Sequence, residues 1–160
     1  MNALSVELVP AQQWGSNLRS ALRPCKWDIL RRAAYAKAGG KCEVCGGSGL
    51  NQGRRHALEA HEIWDYDAET FTQKLTGIIA LCPRCHEVKH IGRAFMVGNG
   101  ERALKHLARV NGWRYVEARQ HIGEAFDIHA ERSAYAWTLD LTWLFCDESP
   151  FNHGDHIFRK

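Results

Sequence analysis

The sequence runs to 160 residues, 45% of them apolar, with a formal net charge of +3. That length suits one domain with short flanks, and the apolar share is enough for a packed core, which excludes an intrinsically disordered chain. No apolar run approaches the ~18 residues of a membrane span, and the start, MNALSVELVP, lacks the basic and apolar regions of a secretory signal, so a cytoplasmic protein with no membrane partner is expected.

Charge is uneven along the chain. Residues 1–41 carry seven Lys/Arg against two acids, residues 42–90 five against seven, and residues 91–160 nine of each. The positive segment offers Arg31, Arg32 and Lys37, with Arg54 and Arg55 further on, as a surface for backbone phosphates. A solvated helix face is the plainer alternative.

In chain order, residues 1–26 read as an arm, irregular or partly helical around Trp14-Gly15 and Pro24. Residues 27–38 place Trp27, Ile29, Leu30, Ala34 and Ala38 near one stripe of an amphipathic helix, which Gly39-Gly40 ends. KCEVCGGSG is a knuckle whose glycines allow a tight turn. Residues 55–64 read as a strand, 65–69 as a polar loop and 75–81 as a second strand. A helix opens at Pro83 and runs past His90. Two further helices follow, 101–110 and about 114–131, with Asn111-Gly112 between them. Residues 137–145 are a short apolar run that fits a strand or a buried helix, and the polar tail from Asp147 is expected to be loose. The chain thus divides into an arm (1–26), a core (27–95), a helical extension (96–146) and a tail (147–160). Trp113, Trp137 and Trp143 are expected in the core, while Trp64 could stack on a nucleobase.

Four of the six cysteines form two Cys-x-x-Cys pairs, Cys42/Cys45 and Cys82/Cys85. In a reducing compartment that doubled spacing reads as metal rather than disulfide. Zinc takes four thiolates tetrahedrally, two from each turn. One pair lies in the knuckle and the other at a helix start, with room for a β-hairpin between them. The expected fold class is therefore α+β, with knuckle, hairpin and helix forming a treble clef on a structural Zn²⁺, and flanking, mainly C-terminal, helices covering a metal core too small to stand alone.

Three histidines form a second layer. His86 and His90 stand four apart on the expected helix and share a face, and His61 lies on the first strand. Three imidazoles on one ion leave coordination positions open, as a site that does chemistry requires. The same letters, His86-Glu87-Val88-Lys89-His90, also spell H-E-x-x-H, a zinc metalloprotease signature, although here it abuts the second cysteine pair.

LEAHEIW followed by LCPRCHEVKH resembles the HNH endonuclease family in its form with two Cys-x-x-Cys pairs, over residues 27–91. The run around His106-Leu107-Ala108, Val110-Asn111-Gly112-Trp113 and Trp137 resembles short stand-alone bacterial and phage members more softly. The resemblance implies a ββα-metal core and metal-dependent hydrolysis of phosphodiester bonds, in DNA ahead of RNA. It puts His61, His86 and His90 on a catalytic divalent ion (Mg²⁺, Mn²⁺, Ni²⁺ or Zn²⁺). Where the family has its general-base His this chain has Glu62, which then acts as base or as an added ligand if the strand twists or bulges there. Where the family has its middle Asn this chain has Gly77. These departures leave a second reading, a zinc-stabilised nucleic-acid- or protein-binding module.

Overall fold

The structure is a computed structural model and describes residues 4–15 and 17–159. It is α+β, with a three-stranded sheet and six helices among the described residues: α1 (Leu18–Ala21), α2 (Pro24–Lys37), α3 (Pro83–Lys89), α4 (Ile91–Met96), α5 (Gly100–Asn111) and α6 (Tyr115–Ser133). No described helix is long and apolar enough to cross a membrane.

Helix α2 starts three residues before the expected Trp27, because Pro24 occupies its first turn, where a missing N–H costs nothing. It delivers the chain to the knuckle, where Gly46 takes a left-handed φ of 69° and donates to the Cys42 carbonyl at 2.8 Å. The loop beyond it passes over the start of α3. A Cβ on Gly49 would stand 2.2 Å from the His56 carbonyl oxygen and 2.9 Å from the Pro83 ring, so only glycine fits.

Strands β1 (Glu59–Asp67) and β2 (Thr72–Leu81) pair as an antiparallel hairpin, Glu59 opposite Leu81 and Asp67 opposite Thr72. The sequence places the first strand about four residues too early and makes its last three residues a loop. Residues 65–67 alternate in burial: Asp65 and Asp67 are exposed, and Tyr66 between them is half-buried against Trp137, with 5.2 Å between ring centroids. The tip is closed by Asp67, whose carboxylate accepts from Glu69 N at 2.9 Å and Thr70 Oγ1 at 2.8 Å.

Two hydrophobic clusters lie against the hairpin. One gathers Leu4, Val6, Val44, Leu81, Val88, Ile91, Leu104, Leu107 and Ile122, so α5 and α6 pack over the cysteine end as expected. The other gathers Leu18, Leu22, Leu30, Leu75, Leu144, Phe151 and Ile157. The ambiguous run 137–145 is both things in turn: a short strand β3 (Thr138–Asp140), parallel to β2, and a 3₁₀ turn (Thr142–Phe145).

The ends are where the sequence reading fails. The arm is not peripheral, since Leu4 is fully buried and Val6 nearly so. The tail is not loose either. Phe151 and Ile157 are buried, Arg23 N donates to the Ile157 carbonyl at 2.9 Å, and Arg159 N donates to the Ala21 carbonyl at 2.9 Å. Two apolar residues six apart in a mostly polar tail make no periodic signal, yet both pack with Leu18 of α1, Leu22 at its C-cap and Leu30 of α2. Ile157→Ala should therefore cost about 2–5 kcal/mol, the usual range for emptying a buried Ile site. Chemical denaturation is the check, and a loss under about 0.5 kcal/mol would return the tail to the surface.

Candidate metal centres

The two cysteine pairs meet because the knuckle is stitched to the end of β2. Glu43 N donates to the Ala80 carbonyl at 3.0 Å, and Ala80 N donates back to Glu43 Oε2 at 2.6 Å. Cys82 is the N-cap of α3, so its pair sits at the positive end of a helix. All four sulfurs lie within 4.8 Å of one another, and Cys45 Sγ is 3.6 Å from Cys82 Sγ. Tetrahedral zinc at ~2.3 Å from each sulfur sets neighbouring sulfurs about 3.8 Å apart. The donor set thus fits a structural metal such as zinc. Cys25 and Cys146 take no part.

The thiols influence one another strongly. Hydrogen bonds from Cys42 and Cys85 pull the Cys82 thiol below its ordinary value, while Cys42 and Cys82, with burial, push Cys85 up. Burial holds Cys45 at about 11. A dication at the centre allows all four to ionise.

Behind Cys85 lies buried His106 on α5, its Nε2 3.2 Å from Cys85 Sγ and its Nδ1 3.0 Å from a guanidinium nitrogen of Arg109. Guanidinium only donates, so Nδ1 is the acceptor, and Nε2 carries the proton toward the sulfur. This N–H···S bond ties the helical extension to the metal site.

The second centre joins β1 to α3. His61, His86 and His90 each offer a ring nitrogen within 4.8 Å of the others, and His86 Nε2 is 3.2 Å from His90 Nε2. Helix α3 ends at Lys89 rather than running past His90, which sits at the corner into α4 with φ −102° and ψ 44°. The i, i+4 relation survives, since His90 N still bonds the His86 carbonyl at 3.3 Å. His61 is 5% exposed, and neither of its ring nitrogens has a hydrogen-bond partner among the described residues. A buried orphaned imidazole is costly unless something else satisfies it. Burial lowers His61, and desolvation by the packed neighbouring groups, with the nearby His86 and His61, holds His90 at about 3 even though part of that residue is exposed to solvent. Both rings are therefore neutral near pH 7, the form that binds a metal.

Two carboxylates that the sequence reading did not single out stand beside the trio. Glu59 Oε2 is 2.5 Å from His86 Nδ1 and Glu59 Oε1 is 2.7 Å from His56 Nε2, so Nε2 is left as the donor nitrogen of His86. The hydrogen bond to His86, ahead of opposing burial, keeps Glu59 at about 2. Alternation could have found it, since Glu59 and His61 are two apart on one strand and share a face. Glu7, from the arm, has Oε2 3.6 Å from His61 Nε2.

Glu62 is not brought to this cluster. Pairing is regular from Glu59 to Ile63, and the irregularity falls between Ile63 and Trp64, two residues past the step that would turn Glu62 toward His61. Its carboxylate accepts instead from Leu18 N at 3.0 Å, holding the first turn of α1. Gly77, at the position of the family's Asn, faces Ile63 across the hairpin. Glu87 of the H-E-x-x-H pattern is engaged by Arg102 at 2.6 and 3.2 Å.

Of the expected phosphate contacts, Arg32, Lys37, Arg54 and Arg55 are exposed, whereas Arg31 bonds Asp28 at 2.7 Å. Arg54 and Arg55 directly precede His56, which bonds Glu59. Trp137 is buried, while Trp64, Trp113 and Trp143 are partly buried against the two clusters, which makes Trp64 a packing residue as well. Compared with known proteins, the chain matches no family model, no curated protein and no solved structure.

Proposed function

We propose that the chain is a metal-dependent nuclease of the HNH type, hydrolysing phosphodiester bonds in DNA ahead of RNA. The observation that carries this reading is the orphaned, buried His61 facing His86 and His90, beside a four-cysteine cluster. Knuckle, hairpin and helix on that cluster are read as a treble clef, with the histidines as the ββα-metal site. On this reading the cysteines are closed and structural, and the histidines are open and reactive.

The chain's own residues divide the task. His61, His86 and His90 hold the ion, and Glu59 fixes the ring of His86. Arg54 and Arg55 draw the phosphate backbone in through charge alone. A divalent ion held by His61, His86 and His90 would supply charge to neutralise a non-bridging phosphate oxygen and the leaving 3′-oxygen, and would lower the pKa of a water, which would suit the site to cleavage without a nearby protein base.

One observation favours a second reading. With Glu62 bonded to Leu18 N, the residue at the family's base position is engaged elsewhere, and a module that binds nucleic acid without cutting it would look the same there. Plasmid nicking with Mg²⁺, Mn²⁺, Ni²⁺ and Zn²⁺ in parallel, beside a structured RNA, separates the two. Nicking with at least one metal, abolished by chelator and restored by that metal, is the expected result. Binding without cleavage under all four metals would make the protein a binding module. The metalloprotease reading gains nothing, because Glu87 is paired with Arg102.

A further inference from the structure

The first described residues form a strap that runs over the histidine end of α3 and belongs to no sheet. Its backbone is satisfied by side chains from the C-terminal half. Leu4 N donates to Asn111 Oδ1 at 2.8 Å, and Asn111 Nδ2 donates back to the Leu4 carbonyl at 2.7 Å. Val6 N donates to His121 Nε2 at 3.1 Å, and His129 Nδ1 bonds the Val9 carbonyl at 2.9 Å. Leu4 and Val6 fill the core between these anchors. Residue 7 falls in the middle of the span, so its position is set from both sides.

That residue is Glu7. One oxygen pairs with the Lys89 ammonium, which also donates to Ser5 Oγ at 3.0 Å, and the other lies 3.6 Å from His61 Nε2. Lys89 is only 5% exposed, an arrangement that a lysine tolerates when paired. A plain structural ion pair would need only Lys89 and Glu7. The proximity of Glu7 to a buried imidazole whose ring nitrogens have no hydrogen-bond partner among the described residues asks for more.

Charge supplies the reason. Imidazole ligands bring no negative charge to a divalent ion. Glu59 supplies one beside His86. Glu7 is the matching carboxylate beside His61. Carboxylates next to ligating histidines fix the rings and strengthen the metal, and removing one usually costs 10–100-fold in affinity.

We infer that the N-terminal strap is part of the histidine metal site, with Glu7, placed by the strap's anchors on either side of it, as a positioning residue that acts through His61. The inference rests on the reading that His61, His86 and His90 bind a divalent ion, and its test keeps the two apart. The full-length protein, loaded with zinc at the cysteines, is titrated with Co²⁺ and followed by equilibrium dialysis and visible absorption. Thiolate-to-cobalt absorption would report exchange into the cysteine site. Lys89→Met removes the ion pair but keeps the Glu7 carboxylate, and should bind Co²⁺ within about threefold of the parent. Adding Glu7→Gln to Lys89→Met should then weaken Co²⁺ by about 10–100-fold with zinc content unchanged. Equal affinity of the single and double variants would overturn the inference and leave the metal-site reading standing. A parent protein that binds no Co²⁺ beyond the cysteines would overturn both. If Lys89→Met does not fold, comparing Glu7→Gln with Glu87→Gln answers the same question. Glu87→Gln removes the same charge from a carboxylate paired with Arg102, so only Glu7→Gln should lose affinity, and equal affinity again overturns the inference.

Discussion

Cys82→Ser should lose its zinc altogether and, with it, the cooperative melting of the hairpin and α3. Binding free energy at a structural zinc is folding free energy, about 10–16 kcal/mol in zinc-finger peptides near neutral pH, and whole domains are stable by only about 5–15 kcal/mol. Cys82 is also the N-cap of α3 and its sulfur lies 3.6 Å from Cys45 Sγ, so its loss breaks the tie between knuckle and helix. What remains there is a hairpin joined to the knuckle by the bonds between Glu43 and Ala80, which are too few to order it alone. Metal analysis of the parent should find about one tightly held zinc per chain, and of Cys82→Ser none. Cys146→Ser, outside the cluster, is the control and should keep both zinc and melting temperature. A Cys82→Ser protein that retained its zinc and its melting temperature would refute the structural-metal reading.

Much of this was legible because metal ligands obey local spacing rules. Cys-x-x-Cys is one turn wherever it occurs, and four residues on a helix is one face, so both cysteine pairs and the His86/His90 pair could be read without a fold. The strand ends were misread because hydropathy reports contact with the core, and Asp65 and Asp67 keep their places in the β1–β2 ladder while facing solvent. Glu62 shows the limit of reading by position in a motif. Its neighbour His61 turns into the site, and without a bulge at that step the alternation of a strand sends Glu62 the other way, to Leu18 N. Glu7 and His106 were illegible for another reason. Glu7 reaches His61 from the far N-terminal arm, and His106 reaches Cys85 from 21 residues further along. Both depend on the packing of α5 and α6 against the metal end, which no local pattern encodes.

His86→Ala should abolish metal-dependent cleavage, by at least ~10³, together with Co²⁺ binding at the histidines, while leaving the cysteine zinc in place. His86 is the hinge of the second centre: its Nε2 meets His90, its Nδ1 meets Glu59, and it packs edge-on against His61 at 5.3 Å between centroids. It is not among the four-cysteine ligands, and it is only partly buried, so truncation removes a ligand rather than a core. Glu62→Ala is the informative partner. A true general base would cost about 10²–10⁴ in rate. A carboxylate that only holds the first turn of α1 should cost less than about tenfold in rate and about 1 kcal/mol in stability, the usual effect of losing a helix-start acceptor. In a chain of this length that is about 2–4 °C of melting temperature. Glu62→His should bring no gain in cleavage, since the strand presents that side chain away from the trio. Single-turnover rates on a nicked-plasmid assay, with zinc content and melting temperature measured on the same preparations, separate the cases. If Glu62→Ala lost ~10² or more with its zinc, its Co²⁺ affinity and its melting temperature intact, the base would return to Glu62, and the strand would have to shift during the reaction to bring it there.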